Sequence, residues 1–281
     1  MKTLTIQTFN LWFGGACVVD GRQKIADVLR KYPSDIVALQ ETFHELGREA
    51  TRELELNHVQ QGFDTALVSH MDLEYIDTNS ELNATAAWIT VEGQRILLWS
   101  VHLHHMDYGP YAALKGVAHE EVLGAEFELR RLEQIQSILA MTEQFIGEES
   151  TPVIIAGDFN SPATVDWKLR EDRPSVNWHA IDVMHEAGFV DCFREIYPDP
   201  TTAPGDSWSQ IEPLENEPRD RIDFIFARGL KPVAARMIGG SPHPLNDESY
   251  VDFGGPCELI PNQKENAYPS DHMIFEVQLE I

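Results

Sequence analysis

Basic side chains are scarce in this chain. Lysine and arginine number 21 against 46 aspartates and glutamates, a net charge of −25. No run of Lys or Arg exceeds two. A duplex-binding protein normally offers a basic face that neutralises phosphates, whereas an acidic chain repels a polyanion at long range. The charge therefore counts against nucleic acid as a partner and reads first as a solvated acidic surface. Cysteine is also sparse: Cys17, Cys192 and Cys257 lie far apart in no metal-ligand spacing. That excludes a disulfide framework or a cysteine zinc site, suits a reducing compartment, and predicts three free, mostly buried thiols. No apolar run approaches the ~18 residues of a membrane-spanning helix. Met1-Lys2 leads straight into an alternating pattern without a signal-peptide core, so a cytoplasmic location is expected. Internal repeats, low-complexity tracts and Ser/Gly linkers are absent. With 43% hydrophobic residues to build a core, the expectation is a single domain over residues 1–281.

What the chain does contain is one telling stretch. Thr151 to Pro162 reads TPVIIAGDFNSP. Val153 to Ala156 is a continuous apolar run, the pattern of a strand buried on both faces. Gly157 ends it, and Asp158 and Asn160 follow at once in a polar loop closed by Ser161-Pro162. Asp, Asn, Gly, Ser and Pro are all turn formers, so a plain turn is one reading. A carboxylate and a carboxamide launched from a buried strand end are also well placed to meet a substrate.

Other segments repeat that arrangement. Thr3–Phe9 alternates and ends at Asn10; Asp35–Leu39 is a second buried strand ending at Gln40-Glu41. Phe63–Ser69, Thr85–Val91 and Arg95–Val101 read as strands, the last two joined by a Glu92-Gly93 turn and the last running into His102. Ile222–Ala227 carries Asp223, and Ser270-Asp271-His272 precedes a final strand at Ile274–Leu279; Val233–Ile238 is one more strand. Helices are expected over 21–31, with Asp20 as N-cap, over 44–56, over about 120–146 and around 178–187. Residues 162–174 and 241–269 read as polar loops, the second long enough to be functional or mobile. Strands outnumber helices and both strand patterns occur, which predicts two packed sheets with helices outside them.

Asn10, Glu41, His102, Asp158, Asn160, Asp223, Asp271 and His272 thus all lie at or beside strand ends. If the sheets bring those ends together, four carboxylates share one cleft, and they cannot all stay ionised without a cation. Oxygen-rich ligands without cysteine select a hard ion, Mg²⁺ or Mn²⁺, which usually shares its shell with water and a substrate phosphate. The chemistry implied is hydrolysis of a phosphate ester. Each residue also has a structural reading: Asn10 as a turn residue, Glu41 or Asp271 as a helix cap, His102 as a satisfied half-buried histidine.

The segments TFNLW (8–12), LQET (39–42), SVHL (100–103), GDFNS (157–161), RIDFI (221–225) and PSDH (269–272) resemble, in order and across nearly the whole chain, the motifs of the endonuclease/exonuclease/phosphatase superfamily, the DNase I-like metal-dependent phosphoesterases. One such motif is weak; six in sequence order are specific. The resemblance implies a four-layer α/β sandwich of two mixed sheets flanked by helices. It implies Glu41 as principal metal ligand with Asn10 and Asp271 beside it. His272 becomes the general base or acid, oriented by Asp223. Asp158 positions the attacking water or steadies the leaving group, and Asn160 and His102 hydrogen-bond the phosphoryl oxygens. Of His104 and His105, alternation points one at the site. Tyr108, Tyr111 and Trp208 read as a substrate wall or as packing, and Lys168, Arg170 and Arg173 as a solvated face or, second to that, as a reach toward an anionic substrate. With the acidic charge and the aromatic loop after His102, the expected substrate is a small or lipid-like phosphate compound. The alternatives are a nuclease of the same superfamily and an inactive phospho-ligand-binding protein.

Overall fold

Strand β1 (Thr3–Asn10) sets the rule that the rest of the fold follows. Leu4 and Ile6 point to one face and Phe9 to the other, the period-2 alternation of a pleated strand. The computed structural model describes residues 2–147, 150–217, 219–241 and 248–281. After β1 come α1 (Gly21–Lys31), β2 (Ile36–Gln40), α2 (Glu45–Thr51), β3 (Asn57–Gln61), β4 (Thr65–Ser69) and β5 (Glu74–Ile76). The hairpin β6 (Ala84–Val91) and β7 (Gln94–His102) leads to α3 (Gly109–Leu114), α4 (His119–Leu123) and the long α5 (Glu126–Ile146). Then follow β8 (Val153–Asp158), α6 (Thr164–Lys168), α7 (His179–Glu186), β9 (Val190–Asp191) and α8 (Cys192–Ile196). The last strands are β10 (Asp223–Arg228), β11 (Lys231–Gly239), β12 (Tyr250–Asp252) and β13 (Ile274–Glu280).

These strands form a seven-stranded sheet, β12-β11-β13-β1-β2-β4-β3, and a six-stranded sheet, β5-β6-β7-β8-β10-β9. Both are mixed. β1 is parallel to β2 and antiparallel to β13; β8 is parallel to β7 and antiparallel to β10. The two sheet centres are thus built alike. Residues Ile6, Ala38, Leu67, Leu98, Ile154, Ile225 and Phe275 meet between the sheets. The outer face of the seven-stranded sheet packs Phe9, Val37, Leu39 and Val68 on Ile25, Val28 and Leu29 of α1. That of the six-stranded sheet packs Trp99, Ile155 and Phe226 on Ile135 and Ile138 of α5 and Ile181 and Met184 of α7. Helix, sheet, sheet, helix: the four-layer α/β sandwich expected from the motifs is the observed architecture.

Several local expectations are corrected, and β3 appears where no strand was expected. The segment NHVQQ lacks an apolar run, yet forms β3 as an edge strand, because pairing with β4 supplies what propensity does not. The expected helix over 44–56 shortens to α2 and a 3₁₀ turn at Arg52–Leu54. The helix expected over 120–146 divides at Gly124-Ala125, where Ala125 turns extended. Asp20 does stand at the N-cap position of α1, but in a left-handed conformation and with no side-chain capping bond. Loop 162–174 contains α6, and loop 241–269 contains β12 and the 3₁₀ turn Gln263–Glu265; residues 242–247 of that loop lie outside the described residues. The three thiols are free, but only Cys192 is fully buried. Among the described residues no helix is long and apolar enough to cross a membrane.

Candidate active site

The inward parity of each central strand carries the site. Ile6, Ala38, Leu98 and Ile154 face the space between the sheets, so Asn10, Gln40, His102 and Asp158, an even number of residues further on, face it too. Because β10 runs antiparallel to β8, its first residue Asp223 lies directly opposite Asp158, and His102 lies opposite Asp158 on the other side. Close approach of β7 and β8 needs Gly157: a Cβ there would stand 1.9 Å from the Val101 carbonyl oxygen. Beneath the site the sheets are tied by polar side chains. Thr8 Oγ1 donates to Gln40 Oε1 (3.1 Å), Gln40 Nε2 to Ser100 Oγ (3.1 Å), and Ser100 Oγ to the Leu39 carbonyl (2.9 Å).

Asp158 is the hub. Asn10 Nδ2 reaches across from the other sheet to donate to Asp158 Oδ2 (3.0 Å) and to Glu41 Oε1 (3.3 Å). Asn10 is therefore a clamp between two carboxylates, and its own oxygen accepts the Trp12 N–H at 3.0 Å. Glu41 takes a second bond, 2.6 Å, from the Phe13 N–H. It holds a left-handed backbone (φ 53°), which for a glutamate costs on the order of 1–3 kcal/mol and persists only where surroundings dictate it. Asn160 is also left-handed (φ 47°); its N–H donates to Asp158 Oδ1 (2.8 Å) and its Nδ2 to the Leu103 carbonyl (3.1 Å).

Two histidine–carboxylate pairs close on this hub from opposite sides. His272 Nδ1–H donates to Asp223 Oδ2 (2.9 Å), and its Nε2 lies 3.7 Å from Asp158 Oδ2. His102 Nδ1–H donates to Asp64 Oδ2 (2.7 Å), and its Nε2 lies 3.6 Å from the same Asp158 oxygen. Burial pushes both imidazoles down, but the carboxylates beside them outweigh it. His102 rises to about 9, chiefly through Asp64 and Asp158, and His272 to about 10, chiefly through Asp223 and Asp271. With no cation bound, both rings keep their second proton at neutral pH and face Asp158 as N–H donors.

Asp64 and Ser207 are the site residues that sequence reasoning missed. Asp64 falls inside the strand expected over Phe63–Ser69; the strand begins at Thr65, leaving Asp64 at its mouth. Aspartate is depleted in strands, and that depletion was the available signal. Ser207 Oγ donates to Asp223 Oδ2 (2.6 Å) and accepts the N–H of Ile222 and Asp223, so it fixes the carboxylate that fixes His272.

The aromatic residues divide. Trp208 Nε1–H donates to Asp271 Oδ2 (2.9 Å), and its ring lies against His272 at 6.0 Å between centroids. Tyr108 packs edge-on behind Trp208 and Tyr111, with its hydroxyl on buried Asp220 (3.0 Å), while the Tyr111 hydroxyl donates to Glu217 (2.5 Å). Tyr108 is thus packing, not a substrate wall. His104 is placed away from the hub: it stacks on Phe127 of α5 at 4.7 Å, whereas exposed His105 lies nearer His102, at 6.4 Å. Arg170 and Arg173 form neither a solvated face nor a substrate clamp; they pair with Asp206 and Asp220.

The donor set fits a hard divalent ion at the rim beside Glu41 and Asp271. Asp271 Oδ1 is buried and receives no hydrogen bond. Its carboxyl is pushed up to about 6 by burial, which outweighs the opposing pull of the His272 ring, and the charge of Glu41 adds to the rise. Asp158, Asp223 and His272 form a tighter cluster, with ligand atoms within 4.8 Å of one another. His272 is oriented by Asp223 through Nδ1 with Nε2 toward Asp158, an arrangement that reads as a proton-handling relay.

A two-sheet sandwich with carboxylates and two paired imidazoles converging at one edge defines a phosphoesterase scaffold. The family model for the endonuclease/exonuclease/phosphatase family matches residues 8–272, and the chain belongs to that family. An uncharacterized Caenorhabditis elegans protein, F14F9.5, is 34% identical over 297 residues, covering 96% of this chain and 88% of its own. Among solved structures, D. rerio TDP2 complexed with single strand DNA product superposes with a TM-score of 0.62 at 17% identity, covering 100% of both chains. An endonuclease/exonuclease/phosphatase protein from Bacteroides vulgatus gives 0.61 at 15% identity, again over 100% of both chains. At these identities the structural likenesses speak for the fold.

Proposed function

We propose that this protein is a divalent-metal-dependent phosphodiesterase that cleaves nucleotide phosphodiester bonds in short or single-stranded substrates. The preference for a small or lipid-like phosphate, drawn from the acidic charge and the aromatic loop after His102, gives way to this reading. The solved structure of similar fold with single strand DNA product supports a nucleotide substrate. The observation that carries the proposal is the convergence of His102 and His272, each backed by a carboxylate, on one oxygen of Asp158.

In this reading Asp158 accepts the proton of the attacking water. The two imidazolium N–H groups donate to phosphoryl or leaving oxygens as negative charge builds on them, without reorganising. Asn160 adds an amide donor at the rim. Glu41 and Asp271, with Asn10 clamping Glu41 to Asp158, would hold Mg²⁺ or Mn²⁺, and the ion when bound would supply Lewis-acid stabilisation of the phosphoryl oxygens. The test is a panel of single-stranded and duplex oligonucleotides, phosphomonoesters and lipid-like phosphodiesters, each assayed with Mg²⁺, Mn²⁺ and chelator. Metal-dependent cleavage of the single strand is expected, with His272→Gln lowering kcat by roughly 10²–10⁴-fold. Turnover of phosphomonoesters or lipid-like esters without cleavage of any oligonucleotide would refute the proposal. Tight binding without turnover of anything would point to an inactive binding protein.

A further inference from the structure

Three loops that border the Glu41 side of the cleft, those after β1, after β2 and between β3 and β4, bring phenylalanines to the surface. Phe13 is 47% exposed and Phe63 43% exposed, with half-buried Phe43 between them. The rings form one cluster: Phe13–Phe43 at 5.1 Å and tilted, Phe43–Phe63 at 5.9 Å and edge-on. None of these rings has a polar handle. Beside His272, by contrast, Trp208 is fastened through its N–H to Asp271, and Tyr108 and Tyr111 through their O–H groups to Asp220 and Glu217.

Each phenylalanine is tied to a site residue through the backbone. The Phe13 N–H holds Glu41 Oε2, Phe43 follows Glu41 by two residues, and Phe63 precedes Asp64, the partner of His102. The Phe63 carbonyl accepts the His44 N–H (2.7 Å), which joins the loop after β2 to the β3–β4 loop. Trp12, Phe13, Glu41, Phe43 and His44 all hold positive φ, from 44° to 59°. Non-glycine residues pay for that conformation and cluster where function fixes them. The strain here delivers rings to the edge of the cleft instead of burying them in the core.

We infer that Phe13, Phe43 and Phe63 form a stacking platform for a nucleobase of the substrate, next to the phosphate being cleaved. This rests on the phosphodiesterase reading and names how that site recognises its substrate. A base offers a flat apolar face that stacks on aromatic rings with little regard to sequence. Such binding needs no basic stripe. It reconciles a net charge of −25 with a nucleotide substrate: one or two bases held by stacking, with few phosphates to neutralise. An aliphatic chain would be served equally well by leucines, so the occupant can be told from a lipid by chemistry at a single position.

The test compares two p-nitrophenyl esters with the same leaving group, that of thymidine 5′-phosphate and that of methyl phosphate, in Mn²⁺. The readout is the ratio of their kcat/KM values. In Phe63→Ala and in Phe63→Leu the ratio is expected to fall by roughly 5- to 100-fold, the range for loss of one base–aromatic stack. Phe63→Leu keeps the bulk and guards against a folding defect. An unchanged ratio in both variants overturns the platform. So does a ratio retained by Phe63→Leu, or an equal loss on dodecyl p-nitrophenyl phosphate, since either result describes a plain apolar surface. If the wild type cleaves neither ester, the hydrolase reading fails separately. Fluorescence anisotropy of a labelled thymidylate tetranucleotide then decides the platform: weaker binding by Phe63→Leu supports it, and equal binding refutes it.

Discussion

Burial alone would strip His102 of its charge, yet the ring is held protonated by Asp64 at 2.7 Å. A group whose folded pKa is raised contributes stability that is complete below its unfolded value near 6.5 and is lost as pH climbs through the folded value, about 9 here. In chelator, the wild-type denaturation midpoint should therefore decline between pH 6.5 and pH 9. Asp64→Asn should start lower at pH 6.5 and show a shallower decline over that window. Denaturant titrations at the two pH values give the answer, and parallel slopes for the two proteins would rule out the pairing. The same substitution should lower kcat, because the ring loses the charge that keeps its Nε2–H available to a phosphoryl oxygen.

Between elements, the start of β10 is fixed by a buried ionic network. Arg221 donates to both oxygens of Asp191 (3.0 and 2.7 Å) and to Asp166 of α6 (2.9 Å), and Arg194 of α8 donates to the other Asp166 oxygen (2.7 Å). Asp191 also caps α8, accepting the N–H groups of Phe193 and Arg194. This network lies two residues from Asp223, so it holds the strand that aims the His272 relay. Arg221→Met leaves Asp191 buried without its bidentate partner, and the expected cost is about 3–5 kcal/mol. Urea unfolding measures it; a loss under about 1 kcal/mol would mean that Arg194 and the cap satisfy both aspartates unaided.

For the molecule as a whole, the acidic surface and the proposed substrate set a limit. A chain at −25 that binds a single strand chiefly by stacking should release few counterions. At fixed excess Mn²⁺, log(1/KM) for an oligonucleotide plotted against log[NaCl] should slope between about 0 and −1.5, the value for two neutralised phosphates on a single strand. A slope steeper than about −4 would demand a basic face that the described residues do not supply.

Local chemistry wrote much of this into the sequence. Parity along TLTIQTFN and VIIAGD sends Asn10 and Asp158 to the face that Ile6 and Ile154 share, because side chains alternate every residue whatever the fold. Six strand ends bearing carboxylates, amides and imidazoles were therefore legible, and with them the two-sheet architecture. The pairings were not. Asp64 and His102 are 38 residues apart, and Asn10 and Asp158 are 148 apart. His104 shares the parity of His102 yet stacks on α5, since alternation ceases once the chain leaves the strand at His102. Which carboxylate orients which ring, and which aromatic rings face the cleft, follow from how two sheets and their loops pack, and no local pattern encodes a contact made across that distance.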